Sequence, residues 1–483
     1  MLTRKTHTFF LIIALSLLGA LRVRAQVAAV GEQLLFTTQE TVAHADTAEV
    51  YTISRFEIEG NRKTREMVIL RELPFEEGAS YTLAELMERS KNAQARLMNT
   101  GLFANVTVGV LSTTGNEARI LVSVKERWYL YPTPFVDVVG MKYQDWIKQG
   151  MPLANVKYGV KIRHKNLSGL NDKLTLNVTR GYMQELTLVY DGLPLDYGLK
   201  WSLGFAAVMG QQRDVAYRTD YNKPVGLHDD KRFLYRYTHI SAAAMYRPAI
   251  KTRHQFGIAW HDESFADTIA RLSKDYLNQE NRVQYPELFY NVSYQDLDFV
   301  PYPTKGVNAE ASFTKKGFKA PVNLWQLWGR ASWYKPVSKS AFVNFRATAL
   351  LKLPFKQPYT MQQFVGQNEM FLQGYEDYTI DGVAGGFAKA SIHQRIIDRK
   401  FGVKIKKLPQ LASVPVKIYA KAYVNGGYIY NEQRGTNLLN NTMLRSAGIG
   451  LDIVLFYDLT FHFEWTLNGN GRNGLYLSER NRW

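Results

Sequence analysis

His462 and Glu464 stand two residues apart and, in an extended chain, on the same side of it; an imidazole and a carboxylate so placed are a potential general acid and base. Nothing else in the sequence joins them. The chain has no Cys, hence no thiolate nucleophile, disulfide or thiolate metal site. It also contains no Gly-x-Ser-x-Gly elbow, no His-Glu-x-x-His and no Walker loop. Nine His are scattered along it. Two polar residues on a wet face are the default reading of such a pair, so the chain is expected to be no enzyme and to have no cofactor or metal site.

The element that must position the pair is a strand. Leu459, Phe461, Phe463, Trp465 and Leu467 project to one side while Thr460, His462, Glu464 and Thr466 project to the other. Segments of about ten residues repeat this alternation from about residue 129 to the C-terminus, separated by turn residues. They add up to about sixteen strands, with lipid on one side and water on the other, the pattern of a transmembrane antiparallel β-barrel. The 29 Tyr, 25 Phe and 9 Trp suit the aromatic girdles of such a barrel. The fold class expected is mostly β: a barrel of about sixteen strands preceded by one small α+β domain. Longer polar connections near 211–231 and 266–283 are expected to be extracellular loops.

The N-terminus points to the same compartment. Arg4 and Lys5, an apolar run from Phe9 to Leu21, and Val23-Arg24-Ala25 before Gln26 have the make-up of a secretory signal peptide over residues 1–25. The run is shorter than the roughly 20 residues that a spanning helix needs. Residues 26–49 are small and polar, expected as a flexible leader. The formal charge is +17, yet no Lys/Arg cluster is interleaved with aromatics on a compact module, so nucleic acid is not an expected partner. Attraction to outer-membrane lipid and lipopolysaccharide headgroups, or a basic lumen, accounts for the balance better.

From Tyr51 the character changes. Tyr51 to Ile58 alternates as a strand and stops at Gly60-Asn61, and a short helix is expected from about Thr64 to Arg71. Thr82-Leu83-Ala84-Glu85 has the spacing of a capping box. Leu83, Leu86, Ser90, Ala93 and Leu97 then form one face of a helix that should stop at Gly101. Alternating runs at Phe103 to Val110 and Arg119 to Val124 close the unit, in the order β-α-α-β-β over residues 50–127. Gly60 permits a tight exit from the first strand, Gly101 a left-handed cap, and Phe103 would plug the core beneath both helices. The landmarks Ile58 to Thr64, the Gly78 region, Thr100 to Val106 and Val124 to Arg127 resemble a POTRA domain. A POTRA domain ahead of a barrel over residues 128–483 resembles the BamA/TamA superfamily of outer-membrane proteins.

Three barrel motifs are similar to those of that superfamily. Asn166-Leu167-Ser168-Gly169 introduces the third strand, and Tyr302-Pro303-Thr304-Lys305-Gly306 matches a Pro-Thr-x-Gly turn, in which Pro303 pre-sets the backbone, Thr304 follows and Gly306 releases the chain. Leu372-Gln373-Gly374-Tyr375 falls between the eleventh and twelfth strands, where the family carries Val-Arg-Gly-Tyr or Val-Arg-Gly-Phe at the tip of a loop folded into the lumen. The family's arginine reaches an acid on the thirteenth strand. Here Gln373 replaces the arginine and Asn425, in Ala422 to Gly427, replaces the acid. A single loss would bury an unpaired charge, whereas a Gln-Asn pair keeps a hydrogen bond, so the loop is expected to dock less tightly than in charged relatives.

The first barrel strand, Tyr129 to Phe135, places Pro132 and Pro134 two residues apart, which removes two donors from one side of a ladder. The superfamily is known for a weak seam between first and last strands, and prolines facing Gly474 to Trp483 would encode it. The alternative is that the strand begins only after Pro134 and the prolines form a linker. The resemblance implies an outer-membrane protein, its POTRA domain in the periplasm, that helps insert or translocate other polypeptides. Unfolded or extended clients would be its partners, with possible periplasmic or lipoprotein partners beside them. Phe103 to Val110 or Tyr51 to Ile58 would offer the sheet edge. A passive pore or a structural surface protein would use the same barrel.

Overall fold

The computed structural model describes residues 48–112, 116–139, 143–278, 280–365, 370–401, 414–455 and 459–478. The expected signal peptide, almost all of the expected leader, and Trp483 lie outside these residues. The chain divides into two compact units, residues 1–182 and 183–483.

The first unit opens with β1 (Val50–Glu59), α1 (Glu66–Leu70), β2 (Ser80–Thr82), α2 (Leu83–Asn99), β3 (Phe103–Ser112) and β4 (Glu117–Glu126). Helix α2 starts where it does because Thr82 and Glu85 close a capping box, each side chain bonding the other's backbone N–H. Hydrogen bonds from the Thr82 backbone N–H and hydroxyl hold the Glu85 carboxyl below its ordinary pKa. Its buried face is Leu86, Ser90, Ala93 and Leu97; Leu83 is only half-buried. Gly101, at φ +70°, ends it. Phe103 is fully buried. A sheet of order β2-β1-β4-β3, with β1 and β4 parallel, packs on this face. The order is therefore β-α-β-α-β-β. The strand missing from the sequence reading, β2, pairs Ser80–Thr82 with Thr52–Val50 and is too short for alternation to reveal.

The same unit continues with β5 (Leu130–Val138), β6 (Val156–Lys165) and β7 (Lys173–Gly181). The second unit holds β8 (Met183–Pro194), β9 (Trp201–Gln212), β10 (Asp214–Asp220), β11 (Lys223–His228), β12 (Tyr235–Tyr246), β13 (Thr252–Phe265), β14 (Arg282–Leu297) and β15 (Gly306–Lys319). After these come β16 (Val322–Pro336), β17 (Ala341–Leu353), β18 (Gln363–Val365), β19 (Ile380–Asp381) and β20 (Ala384–Phe401). The last are β21 (Val414–Tyr430), β22 (Met443–Val454), β23 (Thr460–Asn468) and β24 (Asn473–Ser478). All strands from β5 onward except β10, β11, β18 and β19 belong to one 16-stranded antiparallel sheet, with β5 and β24 at its ends. The count agrees with the strand number read from alternation.

Burial across β23 is inverted relative to a water-soluble sheet. Thr460, His462, Glu464, Thr466 and Asn468 are buried, while Phe463, Trp465 and Leu467 are about two-fifths exposed or more. The same division places Ile258 and Trp260 of β13, Leu327 and Trp333 of β16, and Val424 of β21 outside. A continuous apolar outer face with polar groups packed inside is what a hydrocarbon surround demands of a sheet. No helix among the described residues is long and apolar enough to cross a membrane.

The polar stretch near 211–231, expected as a loop, is mostly the hairpin β10–β11. Tyr221 and Asn222 turn it at positive φ, and the buried Asn222 side chain accepts from Leu438 and Leu439 N–H while its own backbone N–H donates to Asn437. These partners lie more than 200 positions away in sequence, which is why local pattern missed the element.

Candidate functional site

At the start of the sheet, both prolines lie within β5, opposite Ile162 and Val160 of β6. The strand begins at Leu130, so the linker alternative does not hold. Lys165 N–H donates to Tyr129 and Val139 N–H to Asn155, each at 2.8 Å. These odd-numbered residues carry the β5–β6 ladder bonds, so the even-numbered Pro132 and Pro134 turn their missing donors toward the sheet's end edge. The partner proposed for that edge, Trp483, lies outside the described residues.

The Asn166 to Gly169 turn after β6 grips the end of the loop that follows β1. Buried Asn166 donates to Thr64 Oγ1 at 2.9 Å, Thr64 Oγ1 meets the Tyr129 hydroxyl at 2.9 Å, and Arg65 N–H donates to Gly169 O at 3.0 Å. A Cβ on Gly169 would stand 2.4 Å from Lys63 O, so the approach needs glycine. On the POTRA side, Gly60 at φ +84° turns the chain out of β1, and Asn61 donates to Thr64 O. The sheet's full-length open edge is β3; β2 covers Val50 to Thr52 of β1, so of the expected Tyr51 to Ile58 edge only the part after Ile53, which pairs with β4 on its other side, is left uncovered by β2.

Between β17 and β20, residues 370–383 fold onto the inner face of the second unit. Leu372 and Tyr375 are fully buried with Phe364, Ile380, Ile429 and Leu444. Gly374, at φ +88°, sits over Ser446, Thr466 and Asn468, where a Cβ would come within 2.9 Å of Thr466 Cγ2. Asn468 donates to Gly374 O at 2.7 Å, Ser446 donates to Gln373 O at 2.6 Å, and the Tyr375 hydroxyl donates to Arg445 O at 3.0 Å.

Gln373 and Asn425 are not bonded to one another, which corrects the pairing expected from sequence. The Gln373 amide donates to Glu464 Oε1 at 2.5 Å, and Asn425 donates to Ser446 Oγ at 2.9 Å, so Ser446 links them at one remove. The acid under the loop tip therefore comes from β23, two strands from Asn425 on β21. Its cation is Lys421, whose Nζ lies 2.7 Å from Glu464 and 2.6 Å from Asp452. Asp452, fully buried, also meets His462 Nδ1 at 2.7 Å and accepts from the Tyr302 hydroxyl at 2.9 Å; His393 Nδ1 lies 3.4 Å away. His462 and Glu464 thus belong to one buried network joined through Asp452 and Lys421.

Register explains how residues on three strands meet. Lys421 stands opposite Gly450, which stands opposite Glu464; Tyr423, Gly448 and Thr466 repeat the relation one step along. A Cβ on Gly448 would lie 2.4 Å from the Tyr423 hydroxyl, and one on Gly450 would lie 3.0 Å from Lys421 Cε. The two glycines on β22 let side chains of β21 reach β23 across it. Gly448-x-Gly450 was the sequence signal for this network, and only knowledge of register gives it meaning.

The turn motif contributes as well. Asp298 accepts from Thr304 N–H at 3.0 Å, Thr304 Oγ1 at 2.5 Å and Lys305 N–H at 3.1 Å, and Gly306, at φ +119°, opens β15. A Cβ there would collide with Asp296 O. Pro303 is buried beside Tyr302, and this anchoring presents Tyr302 to Asp452.

Two family models match the chain: POTRA, described as surface antigen variable number repeat, over residues 51–127, and the Omp85 superfamily domain over residues 166–463. Among solved structures, CdiB from Escherichia coli is similar at a TM-score of 0.52 and 13% identity, covering 89% of this chain and 75% of that one. BamA from Haemophilus ducreyi lacking POTRA domains 1-3 is similar at 0.49 and 16%, covering 89% and 83%. No curated protein matches by sequence. The chain belongs to the Omp85 superfamily, an outer-membrane β-barrel protein with a POTRA domain ahead of its barrel.

Proposed function

We propose that this protein assists the insertion or translocation of other polypeptides at the outer membrane. Residues 1–25 would export it, residues 50–127 form the periplasmic POTRA domain and residues 128–483 the barrel. The observation that carries the reading is the Omp85 match over 166–463 joined to a POTRA match over 51–127. An extended client adds to the open edge of β3, where main-chain bonds give affinity with little demand on sequence. Gln94 already donates to Val106 O, so the available stretch is Thr107 to Ser112. The docked Gln373-Gly374-Tyr375 tip, above Asn425, keeps the lumen occupied at rest. The donor-poor edge of β5 at Pro132 and Pro134 supplies a boundary that parts at low cost. The outer apolar face meets lipid and lipopolysaccharide, and periplasmic or lipoprotein partners would act at the POTRA surface. No reaction is assigned to the chain.

The test is photocrosslinking from Val108 in intact cells, with identification of the trapped chains. Unfolded outer-membrane or secreted polypeptides are expected, and adding Val110→Pro to the protein that carries the crosslinker at position 108 should sharply reduce the adducts by removing a donor from that edge. Absence of adducts, together with steady ion conductance of the purified protein without any client, would establish a passive pore instead; absence of both would leave a structural surface protein.

A further inference from the structure

One cluster on the inner face lies apart from the loop-tip network. His239 of β12 stands opposite His261 of β13, and Glu263 follows two residues along the same strand. One donor atom from each lies within 4.8 Å of the others, and His239 Nε2 is 3.4 Å from Glu263 Oε1. Donors bound about 2.1 Å from a tetrahedral zinc ion are about 3.4 Å apart, so this edge has the size of a zinc coordination edge without rearrangement.

The second observation concerns which atoms are already committed. His261 Nε2 meets Glu287 Oε2 of β14 at 2.8 Å, and Lys316 lies 3.6 Å from the same carboxylate. That leaves His261 Nδ1, which is buried and makes no hydrogen bond; His239 Nε2 is likewise buried and without one. A carboxylate holding the far nitrogen of a histidine whose near nitrogen is open is the arrangement that orients imidazoles on metals. Glu263 is positioned too: Tyr285 donates to Oε1 at 2.8 Å and Tyr235 to Oε2 at 3.0 Å. The Tyr285 ring stacks on His261 at 4.7 Å and fixes its plane.

We infer that His239, His261 and Glu263 form a binding site for a divalent transition cation of the zinc type, held by two imidazole nitrogens and one carboxylate. The sequence reading expected no metal site, because the ligands sit on two strands at a spacing with no motif. Two neutral nitrogens and one carboxylate suit Zn²⁺ better than Mg²⁺ or Ca²⁺, which take oxygen donors. Three protein ligands leave a fourth position to water. Glu287 is a positioning residue acting through His261.

The test uses the full chain, purified without a histidine tag, folded in detergent and stripped with a chelator. Zn²⁺ is titrated by calorimetry and Co²⁺ by visible absorption. One equivalent should bind, Co²⁺ with the intense ligand-field bands of a four-coordinate site. His239→Ala and His261→Ala should each remove those bands, and Glu287→Gln should keep them while weakening affinity about 10- to 100-fold. Heat-modifiable gel mobility reports whether each variant is folded. Failure of the folded wild type to bind one equivalent would overturn the inference. So would binding that both histidine variants retain, or Co²⁺ spectra of a six-coordinate aquo ion. Mg²⁺ should not compete; competition at equal concentration would also overturn it.

Discussion

The POTRA core and the patch beneath the loop tip bury side chains by opposite rules. In the first, Val68, Leu86, Leu97 and Phe103 are buried and Glu85 and Glu88 are outside. In the second, Lys421, Asp452, Glu464 and Thr466 are buried while Val424, Ile449 and Trp465 face outward. One is surrounded by water and expels apolar groups from it; the other is surrounded by hydrocarbon and must satisfy its polar groups internally. The contrast locates the sensitivity of each region: cavities in the POTRA domain, unpaired charge in the barrel.

Lys421→Met sharpens the contrast most. It removes the one ammonium shared by two buried carboxylates and should cost about 3–5 kcal/mol of barrel stability, read from the denaturant midpoint of heat-modifiable mobility. A change below about 0.5 kcal/mol would mean the patch behaves as ordinary surface.

Gln373→Ala comes next. It removes a hydrogen bond to a charged acceptor, worth about 1.5–3 kcal/mol, and should raise amide exchange across 370–383. Asn425→Ala, which loses only a neutral bond to Ser446, should change exchange less, by about 1 kcal/mol. Equal protection in both variants and wild type would assign docking to the buried Leu372 and Tyr375 and to the bonds on Gln373 O and Gly374 O instead.

The smallest effect belongs to the POTRA helix. Thr82→Ala removes the cap of α2 and should cost about 1 kcal/mol, seen as faster exchange in its first turn. Because the Glu85 carboxyl is held below its ordinary value, its contribution is present in full above about pH 4.3 and is lost as the pH falls through the lowered value. Protection of the first turn should therefore be flat from pH 7 to 5 and fall below that, and Thr82→Ala should erase the acid step. An acid step that survives in the variant would show that another group governs it.

Legibility followed the same division. The capping box, the apolar face of α2, the glycine stops and the strand alternation are properties of residues within a few positions of each other, and period alone exposes them. Strand β2 escaped because three residues carry no period. The hairpin β10–β11 escaped because the partners of its Asn222 tip come from the distant segment 437–440. The sequence pairs Gln373 with Asn425 of β21, whereas its partner is Glu464 of β23.

Backbone chemistry and side-chain alternation by themselves determined that this is a chain of strands with one dry and one wet side behind a small α+β domain, since strand geometry makes every second residue share an environment. Which polar residues meet was decided only by tertiary structure. Register brings Lys421, Gly450 and Glu464 into one row, the fold-back of the loop sets Gln373 on top of it, and adjacent strands gather His239, His261 and Glu263. Contacts across strands depend on how far each strand slides past its neighbour, and a slide of one residue exchanges the two faces entirely.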